Sequence, residues 1–208
     1  MSPLALLALE PRLMPIPLIR RGIPRFKNMT MRNAGNPQCD GHISTLLKAL
    51  HTYSEARTLF LSQIGREDSC RDPLAEFSEI LVGYLLRALP AGSRVQKGYD
   101  LVKPNGRHIQ VRYLANPKGK WVNEHVVDFT SGCDEYALVI FVALQLQSAL
   151  VFQRETIGEV CALLGKRHPN QRITLQFTQR NYEAIIKEPS RYQALGVIIY
   201  QFSELAAC

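Results

Sequence analysis

Hydrophobic side chains recur at helical spacing in two consecutive stretches of the chain. From His42 to Ile64, apolar residues return every three or four positions, as on one face of a helix. From Asp72 to Leu89 the same spacing continues, with Asp72 placed to cap the first turn and Pro73 at the first helical position. The pattern predicts two amphipathic helices, of which the first is an N-terminal helical segment.

A β-hairpin is predicted next, between Gly98 and Leu114. Two apolar-rich segments flank a Pro-Asn-Gly turn at 104–106, which favours a tight reversal of the chain. With these three residues as the loop, counting back from the turn places Asp100 opposite Gln110. Because side chains alternate along a strand, Gln110 and Arg112 share one face of the hairpin. A carboxylate, an amide and a cation are therefore expected to meet there.

Five further segments complete the pattern. An almost continuous apolar run, Tyr136–Leu144, is typical of a central strand covered on both sides. Three extended stretches are predicted at Trp121–Phe129, Ala149–Gln153 and Ile173–Thr178. A crossover helix is predicted at Thr156–Lys166, with Thr156 and Glu159 as its capping box. The order of elements predicts an α/β fold with a mixed central β-sheet flanked by helices.

The start of the chain differs in composition from the rest. Prolines at 3, 11, 15, 17 and 24 are too frequent for a continuous helix. We therefore expect a flexible, basic, Pro-rich leader over residues 1–38. The first helix and its link come next at 39–71, and the main domain occupies 72–208.

Cysteine usage and hydropathy narrow the class of protein. The five cysteines are scattered, odd in number and without a Cys-x-x-Cys pair, which argues against a zinc site and a disulfide framework. This usage favours a reducing, cytoplasmic setting. No apolar run approaches the roughly 20 residues that a membrane span needs, so no membrane partner is expected.

Positive charge is concentrated in two parts of the sequence. The net charge is +7, and the leader carries much of this excess. The second basic stretch surrounds the hairpin, where Asp100 is the one acidic residue between Arg94 and Lys120. A lone carboxylate in a basic field suits a site that processes a polyanion. The alternative is a solvated hairpin whose long cations protect an edge strand.

The residue types at the hairpin suggest a metal and a phosphate. Magnesium prefers hard oxygen ligands, usually one or two carboxylates with waters. Asp100 and the amide of Gln110 provide oxygens, and Glu76 on the second helix borders its buried face and can add another carboxylate. Arg112 provides a cation for a phosphate. Such a set could promote phosphodiester hydrolysis.

The arrangement resembles the PD-(D/E)XK nuclease superfamily, which includes many type II restriction endonucleases. Asp100 matches the Asp of the motif, Gln110 falls where the second acid belongs, and Arg112 falls where the Lys belongs. Glu76 corresponds to the acid of the preceding helix. The resemblance covers roughly 72–178 and implies a restriction-endonuclease-like fold. It also implies a Mg²⁺- or Mn²⁺-dependent DNA endonuclease of a restriction or defence system.

Two departures from the motif matter for the chemistry. Gln110 keeps an oxygen but removes a full negative charge, so metal affinity should fall. Arg112 can clamp a phosphate, but its guanidinium does not give up a proton as a buried lysine can. The alternative is therefore a catalytically weak or inactive nuclease-fold module that binds nucleic acid. A third is a protein-interaction domain that pairs with itself or a partner through the helix at 42–64. A homodimer is compatible with both this domain and the nuclease.

Several side chains near the hairpin are candidates for contact with nucleic acid. They are the cations and the histidine of the basic stretch, Lys103, Arg107, His108, Lys118 and Lys120. An exposed hairpin histidine without a ligand is the alternative for His108. His125 could line the cleft, and Glu79 is expected to be a solvated helix residue.

Overall fold

The computed structural model describes residues 37–92, 98–116, 121, 124–166 and 173–202. The chain divides into two compact units, Met1–Lys48 and Ala49–Cys208. Nearly all of the predicted leader lies outside the described residues. The second unit contains the predicted hairpin and the main sheet.

The described residues form five helices and eight strands. The helices are α1 Pro37–Gln63, α2 Pro73–Leu86, α3 Ile157–Leu163, α4 Gln179–Lys187 and α5 Pro189–Gln193. The strands are β1 Leu89–Pro90, β2 Leu101–Val102, β3 His108–Asn116, β4 His125–Asp128, β5 Glu135–Val142, β6 Gln145–Gln153, β7 Thr174–Phe177 and β8 Ile198–Gln201.

The main sheet has six strands in the order β1-β2-β3-β5-β6-β8. Strands β3 and β5 run parallel, and every other neighbouring pair is antiparallel. Strands β4 and β7 form a separate two-stranded antiparallel sheet. The prediction of an α/β protein with a mixed sheet and several helices is confirmed.

The register of the predicted hairpin is also confirmed. Leu101 lies opposite Ile109, and the Lys103 amide donates to the Arg107 carbonyl at 2.9 Å. The Asp100 amide donates to the Ile109 carbonyl at 2.8 Å, which extends the ladder to the residue before β2. The Pro-Asn-Gly turn therefore fixes the alignment of β2 and β3, as its sequence predicts.

The sheet is buried on both faces. Helix α2 packs through Val82 against one face, on which Ile109, Val111 and Val139 lie. The opposite face packs against the small sheet and the later helices in a larger core. Strand β5 is buried along almost its whole length. This confirms the prediction of a central strand covered on both sides.

Helix α2 begins as the sequence predicts and ends earlier. The Asp72 carboxylate accepts a hydrogen bond from the Leu74 amide at 2.8 Å, so the predicted cap is confirmed. Arg87 adopts a left-handed conformation with φ of 52° and ends the helix after Leu86. The next residues, Leu89–Pro90, pair with β2 as an edge strand instead of extending the helix.

The first helix buries only part of its apolar stripe. Leu61 is fully buried, and the Phe60 ring lies 6.2 Å from that of Phe77 on α2. By contrast, 62% of Leu50 is exposed. The part of α1 near the link to α2 therefore anchors the helix in this unit.

Two predictions about the later elements are wrong. The Thr156 hydroxyl makes no cap and instead donates to the Leu195 carbonyl at 2.6 Å, so the predicted capping box is absent. Helix α3 also links β6 to β7 of the small sheet, so it is not a crossover within one sheet.

No helix in the described part of the chain is long and apolar enough to cross a membrane.

Candidate active site

Asp100 is the centre of a hydrogen-bonded cluster at the open end of the hairpin. Its Oδ2 atom accepts from the Val111 backbone amide at 2.8 Å and from the Gln110 side-chain amide. The Arg112 Nη1 atom lies 3.3 Å from the same oxygen. The structure thus brings together the three side chains that the strand alternation predicted to meet.

Gln110 contacts Asp100 through its nitrogen. The side chain is almost completely buried, and its Nε2 group donates to the carboxylate. A ligand role would use its oxygen, so this hydrogen bond gives Gln110 a positioning role toward Asp100. Arg112 is half exposed, and its Nη1 group also donates to the Val111 carbonyl at 2.8 Å. These two contacts hold the Arg112 guanidinium in place, and its exposed part remains accessible to a ligand from solvent.

Burial raises the pKa of the Asp100 carboxyl above its ordinary value. The Val111 amide opposes this rise, the negative charge of Glu79 adds to it, and Arg112 and Arg71 lower it. Among the described residues, none donates a hydrogen bond to the second oxygen, Oδ1. Asp100 is therefore a partly desolvated carboxylate with one oxygen left for a ligand.

A cavity of about 890 Å³ opens beside Asp100. Glu79 and Arg71 line it from the α2 side. The Arg71 guanidinium binds Glu79 with both terminal nitrogens, one of them at 2.9 Å from Oε2. Because Glu79 also acts on the pKa of Asp100, the two carboxylates share one electrostatic environment.

Glu76, the helix acid expected beside Asp100, lies in a different set of contacts. It is buried, and it accepts hydrogen bonds from Ser69 Oγ at 2.6 Å and from Arg66 Nε at 3.2 Å. It is not among the residues that line the cavity. Its carboxylate is thereby engaged by the link between α1 and α2, and Glu79 is the helix acid that faces Asp100.

Sequence reasoning gave Glu79 too little weight, although a signal was present. Glu79 and Gly83 are four residues apart, so they lie on one side of α2, and Arg87 follows at the end of the helix. All three line the cavity. The Glu79 side chain is also only 19% exposed and is paired with Arg71. The expectation that Glu79 is merely solvated is therefore wrong.

The hairpin cations expected to bind nucleic acid are held at the turn end. Lys103 Nζ and Arg107 Nε lie 2.8 and 3.0 Å from one oxygen of the buried Glu135. Arg107 also binds Glu155, with 3.0 Å between Nη1 and Oε1. His108 stacks on the ring of Tyr99 at 3.9 Å. Much of the charge of Lys103 and Arg107 is therefore balanced inside the protein.

Two predicted contacts, Lys118 and Lys120, lie outside the described residues. Another candidate, His125, lies on β4 with its Nε2 atom 2.7 Å from the Tyr136 hydroxyl oxygen. Burial lowers the pKa of its imidazole, and Arg112 lowers it further. Both effects favour the neutral imidazole, and the second shows that His125 lies near enough to Arg112 to feel its charge.

The donor set suits a hard cation with few protein ligands. Among the described residues, no group of three or more His, Cys, Asp or Glu side chains could hold a metal ion. Magnesium, however, commonly binds through one or two carboxylates and keeps several waters. Asp100 and Glu79 fit that smaller requirement, because both line the cavity and Asp100 has an oxygen without a hydrogen bond from the described residues.

The chain was compared with protein-family models and with curated proteins. No protein-family model matches the chain, and no curated protein matches it. The contacts, burial and charge of the residues around Asp100 are therefore the basis for assigning a function.

Proposed function

We propose that this protein is a Mg²⁺- or Mn²⁺-dependent DNA endonuclease of the restriction-endonuclease-like class. The observation that carries the proposal is the shared cavity of Asp100 and Glu79, with a guanidinium close to each carboxylate. Two acids supply the ligands of a hard cation. Two arginines supply positive charge that can bind the negatively charged oxygens of a phosphodiester.

The placement of the motif supports the class of fold. Asp100 lies immediately before β2, and Gln110 and Arg112 lie on β3, the antiparallel neighbour of β2. The next strand in the sheet, β5, runs parallel to β3. Helix α2 precedes the hairpin and contributes the second acid. This order agrees with the resemblance to PD-(D/E)XK nucleases, with Glu79 in place of Glu76.

Asp100 and Glu79 would hold the metal. A bound Mg²⁺ would polarise the phosphate and lower the pKa of an attacking water. Gln110 and the Val111 amide fix the Asp100 carboxylate through hydrogen bonds to Oδ2. This leaves Oδ1 as the oxygen through which Asp100 can bind a ligand.

Arg112 and Arg71 act by charge rather than by proton transfer. A guanidinium group does not give up its proton in proteins. A phosphate bound next to Asp100 and Glu79 can accept hydrogen bonds from the two guanidinium groups, and their positive charges stabilise the negative charge that develops on it. The proton of the attacking water must then go to solvent or to a group other than Arg112.

The proposal is tested by cleavage of supercoiled plasmid and linear duplex DNA with Mg²⁺ or Mn²⁺. The native protein should nick or cut DNA, and Asp100→Ala should not. Asp68→Asn, which changes an exposed acid outside the cavity, should leave cleavage unchanged. Lack of cleavage by the native protein on diverse DNA substrates with either metal would reject the proposal.

A second candidate is a nuclease-fold module that binds DNA without cutting it. The observation that favours it is that both cavity acids already have an arginine partner, Arg71 for Glu79 and Arg112 for Asp100. Internal pairing of this kind weakens the attraction for a cation. In that case DNA affinity would fall steeply with salt and would survive Asp100→Asn. Equal affinity at low and high salt would contradict it.

A further inference from the structure

The wall of the cavity beside the two acids is apolar and aromatic. Tyr84 on α2 lines the cavity and is 86% exposed, and Leu89 is 72% exposed. Ile80 and Pro90 continue the same wall. Exposed apolar side chains gathered in a concave site mark a surface that binds a ligand. An acidic metal site alone does not account for this wall.

The cavity has room for a flat organic group. Its volume of about 890 Å³ lies within the range of pockets that enclose small ligands. A base in continuous duplex is stacked on both sides and enters such a pocket only if it is flipped out, which costs its pairing and stacking. An unpaired base exposes its ring faces and can stack on an aromatic side chain. Tyr84 offers such a ring at the cavity.

The charge around the cavity suits the backbone of the same ligand. Arg66, Arg71 and Arg87 line it. Arg87 is exposed, and no ion pair joins it to another residue in the described ranges. Lys103 and Arg107, in contrast, bind Glu135. Arg66 and Arg71 pair with Glu76 and Glu79, so Arg87 is the exposed cation beside the aromatic wall that a phosphate can reach first.

From these features we infer that the cavity binds an unpaired base of single-stranded DNA, stacked on Tyr84 with its phosphates against the rim arginines. This inference deepens the proposed function, and its consequence for the substrate rests on that function. If the protein is a nuclease, the scissile phosphate lies next to an unpaired segment. The preferred substrate is then single-stranded or interrupted DNA rather than continuous duplex.

The test measures binding to the full chain without added metal, so that no cleavage occurs. The probe is a single-stranded oligonucleotide with one 2-aminopurine, compared with the same strand in a blunt duplex. The single strand should bind more tightly and its fluorescence should be quenched on stacking. Tyr84→Ala should weaken single-strand affinity by about 5- to 100-fold, whereas Tyr84→Trp should keep it.

A matched control is Tyr53→Ala, because Tyr53 is 57% exposed on α1 and does not line the cavity. It should leave the affinity unchanged. Equal affinity for strand and duplex, or an equal effect of both tyrosine substitutions, would overturn the inference. Self-association of the native protein that Tyr84→Ala abolishes, without an effect on DNA, would also overturn it and assign Tyr84 to a dimer contact.

The outcomes separate this inference from the proposed nuclease. Tyr84-dependent binding of single strands without cleavage in any metal would reject the nuclease and keep the base site. Cleavage that needs Asp100 but is indifferent to Tyr84→Ala would reject the base site and keep the nuclease.

Discussion

Glu79 and Asp100 line the same cavity from different parts of the chain. Glu79 lies on helix α2, and Asp100 lies immediately before strand β2. Each carboxylate has its own arginine, Arg71 for Glu79 and Arg112 for Asp100. Two acids at one cavity, each with a guanidinium beside it, are the basis of the proposed site for a metal ion and a phosphate. Substitutions at these positions and their neighbours should separate the contributions of the groups.

Replacing Arg112 by lysine should increase metal-dependent cleavage. A lysine at this position keeps the positive charge beside Asp100, and it can also lose a proton when desolvated. Because positioned proton transfer contributes about 10²–10⁴-fold in other enzymes, we expect a rise of about tenfold in the single-turnover rate. Arg180→Lys, on the exposed side of α4, is the control. A slower Arg112→Lys enzyme would show that the guanidinium itself is needed.

Glu76 and Glu79 should respond differently to the same substitution. Glu79→Gln should abolish metal-dependent cleavage and, because it weakens the pair with the partly exposed Arg71, lower the free energy of unfolding by about 1 kcal/mol. Glu76→Gln removes the charge beside Arg66 and Arg71, which are about a third exposed. It should lower the free energy of unfolding by about 2 kcal/mol, less than a fully buried pair would lose.

Urea denaturation and a cleavage assay on the two variants give both readouts. Glu76→Gln should cut DNA at the native rate under conditions where it is folded. If this variant is folded but inactive, Glu76 is a ligand after all and the assignment of Glu79 is wrong.

Gly98 should be the most sensitive glycine near the site. It adopts a φ of +98°, and an added Cβ would lie 2.7 Å from the Ser131 carbonyl oxygen. Gly98→Ala should therefore cost about 2–3 kcal/mol of unfolding free energy, from the strained backbone and the clash together. It should also displace Asp100, two residues further on, and reduce cleavage.

Two other glycines separate the causes. Gly106 has a φ of +84° without a neighbour within 4 Å, so Gly106→Ala reports the backbone cost alone. Gly92→Ala meets neither obstacle and should be nearly neutral. Equal losses of stability in Gly98→Ala and Gly106→Ala would show that Ser131 yields without cost.

Stability should fall as the pH drops below 6.5, partly because of His125. Burial, and then Arg112, lower the pKa of its imidazole below the ordinary value of 6.5. The unfolded chain therefore takes up a proton at a higher pH than the folded protein does. The contribution of His125 to the free energy of unfolding is complete above that value and is lost as the pH falls through the lowered pKa.

Urea denaturation between about pH 7.5 and 5 measures this slope. His125→Gln should flatten it, and His42→Gln, at an exposed position of α1, should not. Parallel curves for the native protein and His125→Gln would show that the imidazole titrates as it does in the unfolded chain.

The sequence predicts the local features of this protein well. The Pro-Asn-Gly turn determines the register of β2 and β3, so the meeting of Asp100 with Gln110 results from counting along the strands. The apolar run of β5 likewise predicts a strand buried on both faces. Both predictions can be made from residues that are neighbours in the sequence.

Features that depend on distant packing are predicted less well. The extended segment around β4 pairs with β7 in a separate sheet, because the choice of partner depends on tertiary contacts. Thr156 binds Leu195, 39 residues away, instead of capping its own helix. Sequence analysis chose Glu76 rather than Glu79 for a similar reason. The rotation of α2 about its axis, which is determined by packing on the sheet, decides which acid lines the cavity with Asp100.

The most direct test of a shared metal site is a single-turnover cleavage assay in Mn²⁺ with four proteins: native, Asp100→Asn, Glu79→Gln and the double variant. Residues that act as one unit give non-additive losses. If Asp100 and Glu79 hold one metal, each single variant loses nearly all activity and the double variant loses no more. A native-like rate in Asp100→Asn or Glu79→Gln would contradict this assignment.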